Sequence, residues 1–251
     1  EPLVAQCSEL RSSLVREVCA LLVLVSSTLR EGFEPFCVEY FPPLLKQSAV
    51  TIQIIREASN ECIRALIIYA LPARLAPKIL EAVRDRSATL RKNAVEYLLL
   101  LLDALPAYAE GERCPLEKHA DAIATEIKKL LTDALAEVRA TSRTALWAFH
   151  RHFPSRTARL LPLLDASTHK LVLEEQHHYE KARQNGEGPS IRGLVHGGSR
   201  GVVVASGNRS GSTPGLRQQS SGGTGSLLNL GRQSSASSTT SEHTSHGSRC
   251  P

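Results

Sequence analysis

Methionine is absent from all 251 residues. The chain opens without an initiator residue and inside what reads as a repeat, so we expect a fragment of a longer protein. Glycine is scarce where phosphate chemistry would need it: of 16 glycines, only Gly32 and Gly111 precede residue 186. The helical body therefore holds neither a phosphate-cradling loop nor a nucleophile elbow. Six cysteines, Cys7, Cys19, Cys37, Cys62, Cys114 and Cys250, include no CxxC spacing. With no secretory signal either, they read as free thiols of a reducing compartment. No uninterrupted apolar run approaches the roughly 18 residues of a membrane span; strongly apolar runs such as Tyr97 to Leu102 are far shorter. Strand-like alternation is missing before Asn185.

Catalytic constellations are missing too. His150 and His152 are two apart on a predicted helix and so fall on different faces, and His177 and His178 have no cysteine at ligand spacing. These histidines read as solvated or partly packed. No metal, cofactor or enzymatic activity is expected.

The formal charge of +5 divides unevenly. After Asn185 the chain is dominated by serine and glycine, with six arginines, Glu187, Glu242 and no lysine, a net +4. Such a segment cannot bury enough apolar surface to offset its ordering entropy, so residues 185–251 are predicted to be a disordered linker. Its dispersed arginines are solvating groups or weak contacts to a polyanion. Residues 1–184 carry 24 basic and 23 acidic side chains, and a near-neutral body is not a general nucleic-acid binder.

What is present is helical periodicity. From His119 to Pro154 one amphipathic stripe (Ile123, Ile127, Leu130, Leu131) gives way at Thr132-Asp133 to a second (Val138, Ala145, Leu146, Phe149), a helix–turn–helix unit. Arginine shows the unit repeating. Arg11, Arg56, Arg91 and Arg139 are each preceded by an apolar residue (Leu10, Ile55, Leu90, Val138). Each is followed by another seven positions on (Val18, Ile63, Leu98, Leu146) and by a third ten positions on (Leu21, Leu66, Leu101, Phe149). The spacings of 45, 35 and 48 residues centre on the period of HEAT-type repeats.

This register predicts helices over about Glu9 to Arg30, Phe33 to Leu45 (interrupted by Pro35 and Pro42-Pro43), Val50 to Tyr69, Ala73 to Arg84 and Thr89 to Ala104. A long loop over Leu105 to Pro115, the unit just described, and a last helix from Arg156 to Arg183 follow. The first helix should lack its partner, and Trp147 should be a core residue.

Equivalent positions align in a solenoid, so the turns at the starts of the second helices should share one ridge. It would gather Ser8, Arg11, Lys46, Thr51, Arg86, Arg91, Lys92, Asn93, Arg139 and Arg143, donors suited to acidic groups on a protein partner. For Arg91 and Arg139 two readings stay open: partner contact, or a structural ladder to Asp85 and Asp133, each six residues earlier. Lys92 and Arg86 read as exposed.

SELRSSLVREVC (Ser8 to Cys19), SNECIRAL (Ser59 to Leu66), LRKNAVEYLLLLL (Leu90 to Leu102), KHADAIATEIKKLLTDALAEVRATSRTALWAF and HFP (His152 to Pro154) resemble the TOG domains of CLASP, the cytoplasmic linker-associated proteins, and above all the second such domain. The resemblance implies a flat stack of HEAT repeats whose intra-repeat turns bind tubulin, here through Ser8, Arg11, Lys46, Arg91, Lys92, Asn93 and Arg139. It further implies regulation of microtubule plus ends by suppressing catastrophe and promoting rescue, without catalysis. The location implied is the cytoplasmic cytoskeleton, including spindle, kinetochore or cortex. The first repeats of such a domain are expected to be missing, with their aromatic contact. No S-x-I-P motif occurs, so recruitment by end-binding proteins is not expected. A generic HEAT scaffold or adaptor, or a cilium-associated TOG protein, is the alternative.

Overall fold

A computed structural model describes residues 2–9, 11–106 and 113–185. Among these residues every regular element is helical. The α-helices are α1 (Pro2–Gln6), α2 (Ser12–Leu29), α3 (Glu34–Gln47), α4 (Gln53–Ala70), α5 (Ala76–Ala82), α6 (Ala88–Ala104), α7 (Ala120–Leu130), α8 (Ala136–His150), α9 (Pro154–Leu160) and α10 (Ala166–Gln184). They form successive pairs joined by short turns. Even-numbered helices pack on the next even-numbered helix, and the odd-numbered ones form a second layer. This is the expected all-α, HEAT-type solenoid. The linker expected over 185–251 lies, after Asn185, outside the described residues, and so does most of the loop expected at 105–115.

The repeat register is the core. Ile63, Leu98 and Leu146 are fully buried, as are Leu66, Leu101 and Phe149. Three expectations need correction. The first helix does have a partner, the short α1, which touches α2 and α3. Because only that turn and a half covers its outer side, Leu21 stays 42% exposed and Leu24 63% exposed. Pro42 and Pro43 do not interrupt α3. Their missing amides deprive the Val38 and Glu39 carbonyls of helical donors, a cost of about 3 kcal/mol or more, but Cys37, Phe41 and Leu44 are fully buried and α3 packs on α4. Finally, the last predicted helix is two helices. Pro162 lies in a 3₁₀ turn, Leu161–Leu163, and Asp165 caps α10 by accepting from the Thr168 amide at 2.8 Å.

An 18-residue window within Ser12–Gln47 has a mean hydropathy of 1.6, apolar enough to cross a membrane by composition. In the fold that segment is α2, a 3₁₀ turn and α3, and both helices pack on α4. Part of that apolar surface thus serves a repeat interface. Cys7, Cys19, Cys37, Cys62 and Cys114 are free and buried, and burial pushes the Cys7 and Cys37 thiols up to about 12, which keeps them protonated and unreactive.

The far end of the stack is tied down by two contacts. Trp147 is 4% exposed, a core residue as predicted, and its indole N–H donates to the Val172 carbonyl at 2.8 Å. The Asp103 carboxylate, at the end of α6, accepts from the Tyr179 hydroxyl at 2.5 Å and lies 3.5 Å from both Arg151 Nη1 and Arg183 Nη1. Burial raises the Asp103 pKa while Tyr179 and the two arginines pull it back. Asp103→Ala should therefore destabilise the chain by about 3 kcal/mol, since it strands a buried hydroxyl and two cations. Urea unfolding followed through Trp147 emission measures this; an unchanged midpoint would show that α10 docks without the carboxylate.

Candidate functional site

The turns joining odd to even helices lie on one edge, and their sequences build a recurring device. In the turn before α6, Asp85 Oδ1 accepts from the Ser87 amide at 2.7 Å. Arg91, one turn into the helix, reaches back so that Nη1 donates to the Asp85 and Arg86 carbonyls, both at 3.1 Å. Before α8 the pattern recurs: Asp133 Oδ1 accepts from the Leu135 amide at 2.8 Å, and Arg139 Nη1 donates to the carbonyls of Asp133 at 2.7 Å and Ala134 at 2.9 Å. Before α4, Arg56 Nη1 donates to the Val50 carbonyl at 3.3 Å. Turn carbonyls that helix geometry leaves without donors are satisfied by a charged one.

The six-residue offset between Asp and Arg thus has a structural role, though not as a carboxylate pair within one repeat. Each arginine takes the backbone oxygen of its own turn, and the carboxylate serves elsewhere. Asp133 receives Arg91 from the preceding repeat in a two-pronged pair, Nε to Oδ2 at 2.8 Å and Nη2 to Oδ1 at 3.2 Å, with the side chains only 18% and 11% exposed. The Arg91 guanidinium, helped by the Leu135 amide, holds the Asp133 carboxyl below its usual range against the opposing effect of burial.

Other cross-links run the same way. Lys92 Nζ lies 2.5 Å from Glu137 Oε2, Asn93 Nδ2 donates to the Ser48 carbonyl at 3.0 Å and hydroxyl at 3.2 Å, and Arg64 meets Glu96 at 2.6 Å. Between α5 and α7, buried Glu126 receives Arg84 at 2.9 Å and Lys129 at 2.8 Å. Burial raises the Glu126 pKa, but the two cations outweigh it and the net shift is downward. Sequence reading missed these partners because, Lys129 and Glu126 aside, they lie 32 to 45 residues apart.

The ten ridge residues therefore separate into two groups. Arg91, Asn93 and Arg139 are engaged inside the fold. Ser8, Arg11, Lys46, Thr51 and Arg86 are exposed and Arg143 is half-buried. Among the described residues the four cations Arg11, Lys46, Arg86 and Arg143 have no carboxylate partner. Lys92 falls between the groups, paired yet 40% exposed. Three acids of the edge, in contrast, are turned to helix starts: Asp85, Asp133 and Asp165 each accept a backbone amide, and the Ser167 hydroxyl, with the Thr168 amide, holds the Asp165 pKa down at about 2. Asp165 marks a fifth turn that the sequence reading merged into one helix. Even-numbered helices begin at this edge where odd-numbered ones end, so their dipoles offset.

Residues 1–173 match the family model described as CLASP N terminal. A CLIP-associated protein of Arabidopsis thaliana is 32% identical over 192 residues, covering 76% of this chain and 13% of that protein. A CLIP-associating protein of Drosophila melanogaster is 30% identical over 172 residues, covering 66% of this chain and 11% of that protein. The chain thus spans little more than a tenth of the length of these curated relatives. In fold it is similar to a chain from work on tubulin recruitment and assembly by microtubule polymerases with TOG domain arrays, with a TM-score of 0.61 at 19% identity over 71% of this chain and 36% of that one. A chain from work on microtubule plus-end tracking gives a TM-score of 0.56 at 17% identity over 76% of this chain and 74% of that one.

Because the folded pKa of Asp133 lies below its unfolded value, its stabilisation is complete above the ordinary carboxylate value of about 4 and is lost as pH falls through the depressed one. Asp133→Asn should cost roughly 1.5–3 kcal/mol at neutral pH. Urea titrations should show the gap between variant and wild type closing as pH falls below about 4. A gap independent of pH would mean that the carboxylate charge contributes nothing.

Proposed function

The chain belongs to the CLASP N-terminal family, and on that footing we propose that it is a microtubule-associated TOG-type domain that binds tubulin through the edge of intra-repeat turns. The observation that carries this reading is the set Arg11, Lys46, Arg86 and Arg143, four cations along one edge without carboxylate partners among the described residues. Ser8 and the exposed part of Lys92 extend the same surface. Arg91, Asn93 and Arg139 shape and fix the turns, so their part in binding is indirect. A row of cations on a rigid frame steers an acidic protein surface and sets its register more than it adds raw affinity.

In this reading the domain works by binding alone, with no cofactor or catalysis. Its engagement of tubulin at plus ends favours continued growth over catastrophe and assists rescue, and its place of action is the cytoplasmic microtubule array. The arginines after residue 185 add a weaker attraction to the acidic lattice, with a strong dependence on salt.

Exposed ion pairs contribute roughly 0.2–1 kcal/mol each, so replacing Arg11, Lys46, Arg86 and Arg143 together by alanine should weaken tubulin binding by about tenfold or more. Gel filtration and co-sedimentation with tubulin, on variants whose circular dichroism matches wild type, measure this. Arg91→Ala should instead lower stability by roughly 2–4 kcal/mol. Full binding by the folded four-cation variant would place the partner elsewhere.

A further inference from the structure

Between α3 and α5 a cleft of about 300 Å³ opens into the same edge, walled by Phe41, Pro42, Leu45, Ala82 and Leu90 and lipped by Lys46, Lys78, Glu81 and Asp85. Leu90 occupies the repeat position that precedes the turn arginine. Its counterparts Ile55 and Val138 are fully buried, while Leu90 is only half-buried. Among the described copies of the register, the one beside the cleft is thus the one left open.

It is also held open. Phe41 is fully buried and packs edge-on against Tyr97, with ring centroids 6.2 Å apart at 77°, so it cannot swing out to fill the space. Pro42 presents a rigid ring. At the lips, Lys78 and Glu81 pair with each other at 3.7 Å, and Asp85 is engaged by the Ser87 amide. Lys46 is exposed and, among the described residues, is the lip charge without a partner.

We propose that this cleft receives an apolar side chain of the partner protein that stands within a residue or two of a carboxylate, the apolar group filling the space and the carboxylate meeting Lys46. The inference rests on the tubulin reading above and deepens it: the edge then holds its partner by one apolar insertion set among cations. Preformed apolar walls beside a single unpaired charge fit an acidic-apolar pair, and burial of one side chain adds affinity that salt does not screen. The charges around it set orientation.

The test compares tubulin affinity across a salt series for the full chain and four variants. Leu45→Trp fills the cleft from its wall, and Glu81→Trp, on an exposed lip residue that leaves the core untouched, covers it from outside. Glu81→Gln is the control for the lost charge, and the four-cation alanine variant reports on the edge itself. We expect both tryptophan variants, where folded, to bind tubulin roughly tenfold more weakly, Glu81→Gln, which frees Lys78, to bind no more weakly than wild type, and the four-cation variant to flatten the salt slope. Wild-type affinity in Glu81→Trp together with a weakened four-cation variant would overturn the cleft and leave the edge standing. Weakened tryptophan variants with an unaffected four-cation variant would keep the apolar insertion but overturn its Lys46 contact and remove the edge. A wild-type chain that binds no tubulin at any salt would overturn both.

Discussion

The fold depends on an arginine set one turn into a helix and bonded back to the carbonyls of the turn before it. Arg56, Arg91 and Arg139 each do this at the start of α4, α6 and α8. A tight turn between antiparallel helices leaves carbonyl oxygens without helical donors, and a guanidinium that follows the turn can satisfy two at once. The consequence is a fixed turn geometry repeated along one edge. Arg91 adds a second constraint, because its remaining nitrogens grip Asp133 of the next repeat and lock the two turns together.

That arrangement sorts the charges of the edge. Asp85, Asp133 and Asp165 are drawn to helix starts, where each accepts a backbone amide, and Asp133 takes the neighbouring arginine as well. Among the described residues, the cations Arg11, Lys46, Arg86 and Arg143 at other turn positions then have no carboxylate partner. A nearly neutral body can in this way present a locally positive edge, without the general basicity of a nucleic-acid binder. The half-buried Leu90 and the cleft beside it add an apolar recess to this edge, which also exposes Ile52 and Ile54.

Much of this was legible in the residues. The positions seven and ten after each arginine predicted the core at Ile63, Leu98, Leu146, Leu66, Leu101 and Phe149, and all are buried. The one failure in that set, Leu21, follows from the small cover that α1 gives to α2, which no local spacing encodes. The proline pair in α3 misled because a propensity penalty was outweighed by burial of Phe41 and Leu44. The break at Pro162 and Asp165 was visible as a proline and a cap former, but the continuing apolar pattern on both sides masked it. Least legible was the split of the ridge into engaged and free residues. The partners of Arg91 and Asn93 lie 42 and 45 residues away, so which donors remain available is decided by packing between repeats, not by position within one.

The most direct measurement is hydrogen–deuterium exchange on the full chain with and without tubulin. The account predicts added protection in the turns before α2, α4, α6 and α8, with the opposite edge around Asp103 and Arg151 unchanged. Protection confined to that opposite edge, or to the residues after Asn185, would contradict it.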